Sequence, residues 1–252
     1  MNQLNLSIEE LIFSLYSEGY FEQGMSLKEA YFPDLEDEKL GFLFEIACRS
    51  LLAKEVLEFR DRQYRYKPTF RHFIQAMNDA EYTVKASKFG SEGEEEAVSF
   101  HVTRANVYCH EMLYDKQVHR IQKIQGINTI YNKVHAFLHM HVSTKRSVIL
   151  SLNADEFEAL LEGASEKPEA LHSFLEKHKD QEKVKQFARD LWKRKGKMDS
   201  LMKVIYDKEN MPDVQGMVFI IPGKEHSWVV SGMNRNEFHI ETAHADGLQS
   251  IF

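Results

Sequence analysis

The chain has 252 residues, 43% hydrophobic and 28% charged, with a formal net charge of −7. That is the composition of a globular protein with a substantial buried core, and its charge argues against wrapping anionic nucleic acid. Two cysteines, Cys48 and Cys109, cannot build a secreted disulfide framework, the first residues lack a basic n-region and a cleavage site, and no apolar run approaches the roughly 18 residues that cross a bilayer. The expectation is a soluble, cytoplasmic protein.

The opening "NLSIEELIFSLYSEG", residues 5–19, places Ile8, Leu11, Ile12, Leu15 and Tyr16 on one helical face. Ser7 stands where an N-cap belongs and Glu10 three residues on, as in a capping box. "DEKLGFLFEIACRSLLAKEVLEF" and "PTFRHFIQAMNDA" continue with helical periodicity. Four β-branched or aromatic segments follow: "EYTVKAS", "AVSFHVT", "NVYCHEML" and "QVHRIQKI", with "YDKQ" as a hairpin turn between the last two. "INTIYNKVHAFLHMH" then returns to a helical pattern.

Just past its midpoint the chain begins again. "SLNADEFEALLEGA", residues 151–164, offers Asn153 as cap, Glu156 three residues later, and an apolar face of Ala154, Phe157, Leu160 and Leu161. Leu6 aligns with Leu152. The stretch 169–207 carries a helical stripe of Val184, Phe187, Ala188, Leu191 and Trp192, extended by Met198, Leu201, Met202 and Ile205, with Gly196 as a point of weakness. Core is the preferred role for this stripe over a binding groove. "GMVFIIPG", "HSWVVSGM" and "EFHIETAH" are strands, "NRNE" a turn, and "ADGLQSIF" a helix-like tail. Pairing His119 with His239 makes the second half a shortened copy of the first.

Helices, then antiparallel strands, then a short helix, twice over, is the signature of an α+β fold rather than a parallel α/β sheet. The division expected is 1–146 and 147–252, near "HVSTKRS". This junction has no Pro- or Gly-rich linker, so the halves are expected to pack as one globular unit.

Chemistry-bearing motifs are sparse. "HAFLHMH" sets His135 and His139 four apart, as if on one helix face, with His141 beside them. No carboxylate or thiolate accompanies them, so no metal is expected. Cys109 adjoins His110, but neighbours on a strand face opposite ways, which makes Cys109 a core residue and His119 a packed hairpin residue. Neither a G-x-S-x-G, nor a P-loop, nor a G-x-G-x-x-G occurs. "FGSEGEEEA" is too acidic to hold a phosphate and reads as an exposed loop. No enzyme activity and no cofactor are expected. Two segments raise nucleic acid as the alternative. "KRKGK", residues 193–197, is basic, and "RSLLAKEVLEFRDRQYRYKP" resembles a winged-helix segment with Arg60, Arg62 and Arg65 on the wing. The helices before that wing lack a basic recognition pair, so a DNA-binding regulator stands second.

The order of elements resembles the EspG family of chaperones from type VII (ESX) secretion systems. "LSIEELIFSL", "CRSLLAKEVLEF…PTFRHFIQAM" and "EYTV" match its first half. "FHVTRANVYCHEMLYDKQVHRIQKI" is similar to its central hairpin, and "FHIETAHADGLQSIF" to its terminal strand and short helix. The resemblance implies a cytosolic, non-enzymatic chaperone that keeps a helical secretion substrate soluble before export. It acts through its sheet and second helical bundle, with no membrane insertion and no nucleic acid. The residues expected to meet such a partner are Tyr114, Asp115 and Lys116 at the hairpin tip, with Trp192 and Met198 in the second half. Loop tips carry function, and Trp and Met suit a surface that accepts an apolar helix end.

Overall fold

The computed structural model describes residues 2–90, 92–207, 211–234, 236–244 and 248. Its contacts fall into two units: Met1–Thr83 with Val98–Gly126, and Val84–Ala97 with Ile127–Phe252. The fold is α+β, as expected.

In the first unit, strand β1 (Gln3–Ser7) runs directly into helix α1 (Ile8–Ser17). Ser7 ends the strand ladder, opposite Val118, and caps the helix: its hydroxyl accepts the Glu10 N–H, and the Glu10 carboxylate accepts the Ser7 N–H at 2.8 Å. The cap was legible in the sequence. The strand was not, although Leu4 and Leu6 are buried on either side of exposed Asn5, the period-two signal of a strand. Helices α2 (Phe21–Tyr31) and α3 (Asp37–Ala53) follow. The helical reading through Phe59 is corrected here. Helix α3 stops at Ala53, Glu55 is left-handed, and β2 (Leu57–Arg60) pairs with β3 (Gln63–Tyr66). Asp61 and Arg62, both at positive φ, make the two-residue turn whose twist suits a hairpin.

Helix α4 (Pro68–Asn78) starts on a proline that sets its first turn. Strands β4 (Tyr82–Phe89), β5 (Glu95–Val102), β6 (Val107–Leu113) and β7 (Val118–Ile124) occupy the segments expected. Within this unit the strand order is β1-β7-β6-β5. Leu11, Leu15, Leu51, Phe73 and Ile74 from α1, α3 and α4 close over Leu6, Tyr108 and Ile121 of the sheet.

The second unit contains α5 (Ile127–Phe137), β8 (Val148–Asn153), α6 (Ala154–Ser165), α7 (Pro168–Lys177), α8 (Glu182–Lys193), β9 (Asp199–Tyr206), β10 (Pro212–Ile221), β11 (Trp228–Asn234) and β12 (Glu237–Thr242). Its order, β4-β9-β10-β11-β12-β8, again sets the opening strand beside the last one and then folds back. Asn153 and Glu156 form the second capping box. The amide that starts each helix bonds the residue before the last strand, Ile8 to Gln117 at 3.1 Å and Ala154 to Asn236 at 3.0 Å.

This register corrects the internal alignment by one residue. Ser7 faces Val118 and Asn153 faces Glu237, so Leu6 faces His119 and Leu152 faces Phe238. His119 therefore corresponds to Phe238, which stacks on Phe157, and not to His239. A slip of one would turn the other face of the strand inward.

A second correction concerns the stretch after Gly196, where Asp199–Tyr206 is strand and not a continuation of the helix. Helix α8 ends where Lys195 and Gly196 take positive φ and the Gly196 N–H bonds the Leu191 carbonyl at 3.1 Å, a left-handed C-terminal stop. Met198, Leu201, Met202 and Ile205 happen to fit a helical spacing, but β9 pairs through Leu201 and Met202 with β10. The tail "ADGLQSIF" lies outside the described residues except for Leu248, and Arg235 of the "NRNE" turn lies outside them as well.

Two polar devices are built into the first unit. The Glu10 carboxylate is buried and accepts from Ser7 N–H, from Ser50 Oγ at 2.7 Å and from Lys54 Nζ at 2.7 Å. Across the sheet, His101, His110 and His119 form a diagonal row on one face, with ring centroids 5.7 and 5.1 Å apart. His101 Nδ1 bonds Thr83 Oγ1 at 3.0 Å, and His110 Nε2 bonds His119 Nδ1 at 2.9 Å. Burial holds His101 and His119 down to about 4. Burial, and then the mutual charge of its neighbours, puts His110 well below the ordinary value.

Replacing Glu10 by Ala strips one acceptor from three donors, and we expect a loss of about 2–4 kcal/mol in urea unfolding. Glu156→Ala, whose exposed carboxylate accepts from the Asn153 N–H and Lys177, should lose less; equal losses would show that the Glu10 cluster adds nothing to the cap. For the histidines, the folded pKa lies below the unfolded value of about 6.5. The unfolded chain therefore binds more protons between about 6.5 and about 4. Stability is fully present above the upper limit and falls with pH, by up to about 1.4 kcal/mol per pH unit for each histidine. Unfolding titrations of a His110→Asn variant should show a shallower dependence in that window; an unchanged slope would contradict the role of the row.

Candidate protein-binding surfaces

Tyr114, Asp115 and Lys116 form the β6–β7 turn with φ of 51, 54 and 64°, an unusual run of three left-handed non-glycine residues. Leu113 paired with Val118 and the Gln117 N–H on the Tyr114 carbonyl hold the ends together. The Tyr114 side chain is 76% exposed. These three residues share one tip, as expected.

Trp192 and Met198 do not share one surface. Trp192, in the last turn of α8, is 51% exposed, whereas Met198 is partly buried against the core of the second unit. Of the α8 stripe, Val184, Phe187, Ala188 and Leu191 are core, in line with the preferred reading, and Trp192 stands outside it. The same helix buries Asp190, which accepts the Trp228 Nε1–H at 3.1 Å and the Lys193 ammonium at 3.0 Å.

The basic run is not a helical face. It covers the end of α8 and the turn after it, and much of its charge is already met. Arg194 bonds Asp199, and Lys197 Nζ lies 5.5 Å from the Phe89 ring centre. Burial raises the Asp199 carboxyl, opposed by the Phe89 N–H and by Arg194. Phe89, Gly90, Glu92 and Gly93 enclose with these cations a cavity of about 270 Å³.

The expected histidine face is not formed. Helix α5 ends at Phe137, His139 is left-handed at φ 50°, and His139 and His141 point to solvent while His135 is half-buried. Among the described residues, no group of three or more His, Cys, Asp or Glu is arranged to hold a metal ion. Cys109 is fully buried, as expected for a core residue.

The wing expected from "RSLLAKEVLEFRDRQYRYKP" exists as the β2–β3 hairpin, with Arg60, Arg62 and Arg65 exposed. The helix before it, however, carries Asp37, Glu38 and Glu45, which repel a phosphate backbone. The hairpin also presents two exposed aromatic rings, Phe59 and Tyr64, 5.0 Å apart.

Helix α3 holds the apolar feature that sequence reasoning missed. Ala47, Cys48 and Leu51 face the core, and Phe13 and Tyr16 of α1 pack on Phe44. On another side, Phe42 and Ile46 are 62% and 48% exposed. With Leu35, Leu43 and Ala47 they line a groove of about 440 Å³ beside the start of α1. The signal was present in "LGFLFEIAC": the segment is apolar almost all round, and such a helix is normally covered on every side. Among the described residues, no helix is long and apolar enough to cross a membrane.

These elements have counterparts in known proteins. In a solved structure, the Mycobacterium tuberculosis type VII secretion system chaperone EspG5, in complex with the PE25–PPE41 dimer, matches 99% of this chain and 94% of its own with a TM-score of 0.64 at 7% sequence identity. The fold is thus EspG-like. In sequence, the Bacillus subtilis (strain 168) protein described as "Uncharacterized protein YfjC" is 53% identical over the full 252 residues, covering 99% of that relative. The family model of the same description, YfjC, matches residues 3–252, and this chain belongs to the YfjC family.

Proposed function

We propose that this protein is a cytoplasmic, non-enzymatic chaperone or adaptor that holds a helical type VII secretion substrate before export. The observation that carries this reading is the presence of large apolar side chains in solvent on ordered elements: Phe42 and Ile46 on α3, Tyr114 on a hairpin tip, Trp192 at the end of α8. Exposed apolar clusters on a rigid scaffold mark interaction surfaces. The EspG-like fold supports the same reading, since EspG5 is a chaperone seen with the PE25–PPE41 dimer. Fold alone does not carry function, so the surface residues are what must be tested.

The contacts we assign are the Tyr114–Asp115–Lys116 tip and Trp192; Met198, packed against the core of the second unit, is left out of them. The DNA-binding alternative gains nothing from the hairpin arginines, because the helix before them is acidic.

Trp192 and Tyr114 are exposed enough that charge can be introduced without opening the core. A protein carrying Tyr114→Asp and Trp192→Asp, folded by circular dichroism, should lose at least tenfold in affinity for the protein that co-purifies with it from its native host. Undiminished binding would remove these residues from the interface, and co-purification of nucleic acid in place of protein would favour the regulator.

A further inference from the structure

We infer that the α3 groove is a second docking site, and that its occupant is an amphipathic helix with basic flanks. This inference rests on the reading that the protein binds helical partners, but the residues it concerns include neither Tyr114 nor Trp192.

The shape argues for a helix. Lys39, Phe42, Leu43 and Ile46 stand at i, i+3, i+4 and i+7 along α3, so the apolar floor runs lengthwise beside the N-terminus of α1. An apolar floor that follows one face of a helix is what helix-in-groove recognition uses, with anchors at the same spacing on the guest. Of the polar wall, Glu10 is already spent on the fold, satisfied by Ser7, Ser50 and Lys54. The guest is therefore held by apolar contact at the centre.

Charge argues for basic flanks. The segment "DLEDEKLGFLFE", residues 34–45, carries Asp34, Glu36, Asp37, Glu38 and Glu45 against Lys39. Lys39 is paired with Glu36 at 3.2 Å, and Arg49 with Glu45 at 3.5 Å. Among the described residues, no ion pair engages Asp34, Asp37 or Glu38. Glu9 lines the groove itself, Leu35 of the lining stands between Asp34 and Glu36, and Phe42 follows Glu38 by one helical turn; carboxylates placed this way around an apolar groove attract Lys and Arg on either side of an apolar stripe. The same rim opposes a second copy of this chain, because a twofold contact would set the carboxylates of one α3 against those of the other.

The test is a displayed library of 18-residue helices with apolar residues fixed at i, i+3, i+4 and i+7 and all flanking positions randomised. It is panned on the full-length protein and counter-selected on an Ile46→Asp variant. Recovered helices should be enriched in Lys and Arg at the flanks. Their affinity, measured by fluorescence anisotropy, should fall at least tenfold with Ile46→Asp and weaken on raising salt from 50 to 500 mM, while Trp192→Asp leaves it unchanged. Phe42→Asp gives the same readout should Ile46→Asp fail to fold. Failure to recover any Ile46-dependent helix, enrichment of neutral or acidic flanks, or self-association abolished by Ile46→Asp would each overturn the assignment. Were the natural partner lost with Tyr114→Asp and Trp192→Asp but the library to yield nothing, the groove assignment would fall and the chaperone reading would stand.

Discussion

The structure depends on one junction, in which a strand becomes a helix with no residue in between. At Ser7 a single residue closes the ladder with Val118, accepts the Glu10 amide and donates its own N–H to the Glu10 carboxylate. Asn153 does the same opposite Glu237 and Glu156. An N-cap normally leaves the incoming chain free to arrive from several directions. Here the incoming chain is an edge strand, so the sheet sets the direction of the helix. Helix α1 must then lie over one face of the strands, which is where Leu11 and Leu15 meet Leu6 and Ile121.

Within each unit other helices pack on the one so fixed, α2 and α3 on α1, and α7 and α8 on α6. In the second unit, α6 and α8 bring Phe157, Leu160, Phe187 and Leu191 together with Trp228, Val230 and Ile240. Buried Asp190 is kept there because the indole N–H and Lys193 both use it. In the first unit α3 supplies Leu51 and Cys48 to the core, yet its own surface is apolar beyond what the core consumes. Removing a phenylalanine side chain from water is worth about 1.5–3 kcal/mol, so leaving Phe42 exposed forgoes a stabilisation that burial would provide. The docking role proposed for the α3 groove would account for that exposure.

The elements legible in the sequence were those with a local chemical cause. Ser7–Glu10 and Asn153–Glu156 announce themselves by residue type and spacing, and the seven β-rich segments by alternation and turns. What the sequence concealed was non-local. Leu4 and Leu6 form a strand because β7 lies beside them, and Asp199–Tyr206 becomes strand because β4 and β10 flank it. The His119 alignment failed by one residue because identity of two histidines outweighed the ladder, which pairs Leu6 with His119 but Leu152 with Phe238. Of the surface residues, Tyr114 was placed by its turn and Trp192 was exposed. Met198 was not, because its position depends on how the chain reverses at Gly196. The α3 groove was invisible to periodicity, since the run "LGFLFEIAC", apolar but for Glu45, reads as core until its neighbours are known.

The central claim is that both units are built on the same junction in the same register. Oxidative cross-linking tests it most directly, since the native Cys48 and Cys109 are buried and give little background. Cysteines placed at Asn5 and Arg120, and in a second protein at Ser151 and His239, sit directly opposite across their ladders and should each close a disulfide under mild oxidation. Closure of Ser151 with a cysteine at Ile240 in preference to His239 would place the second unit one residue out of step with the first and contradict the account.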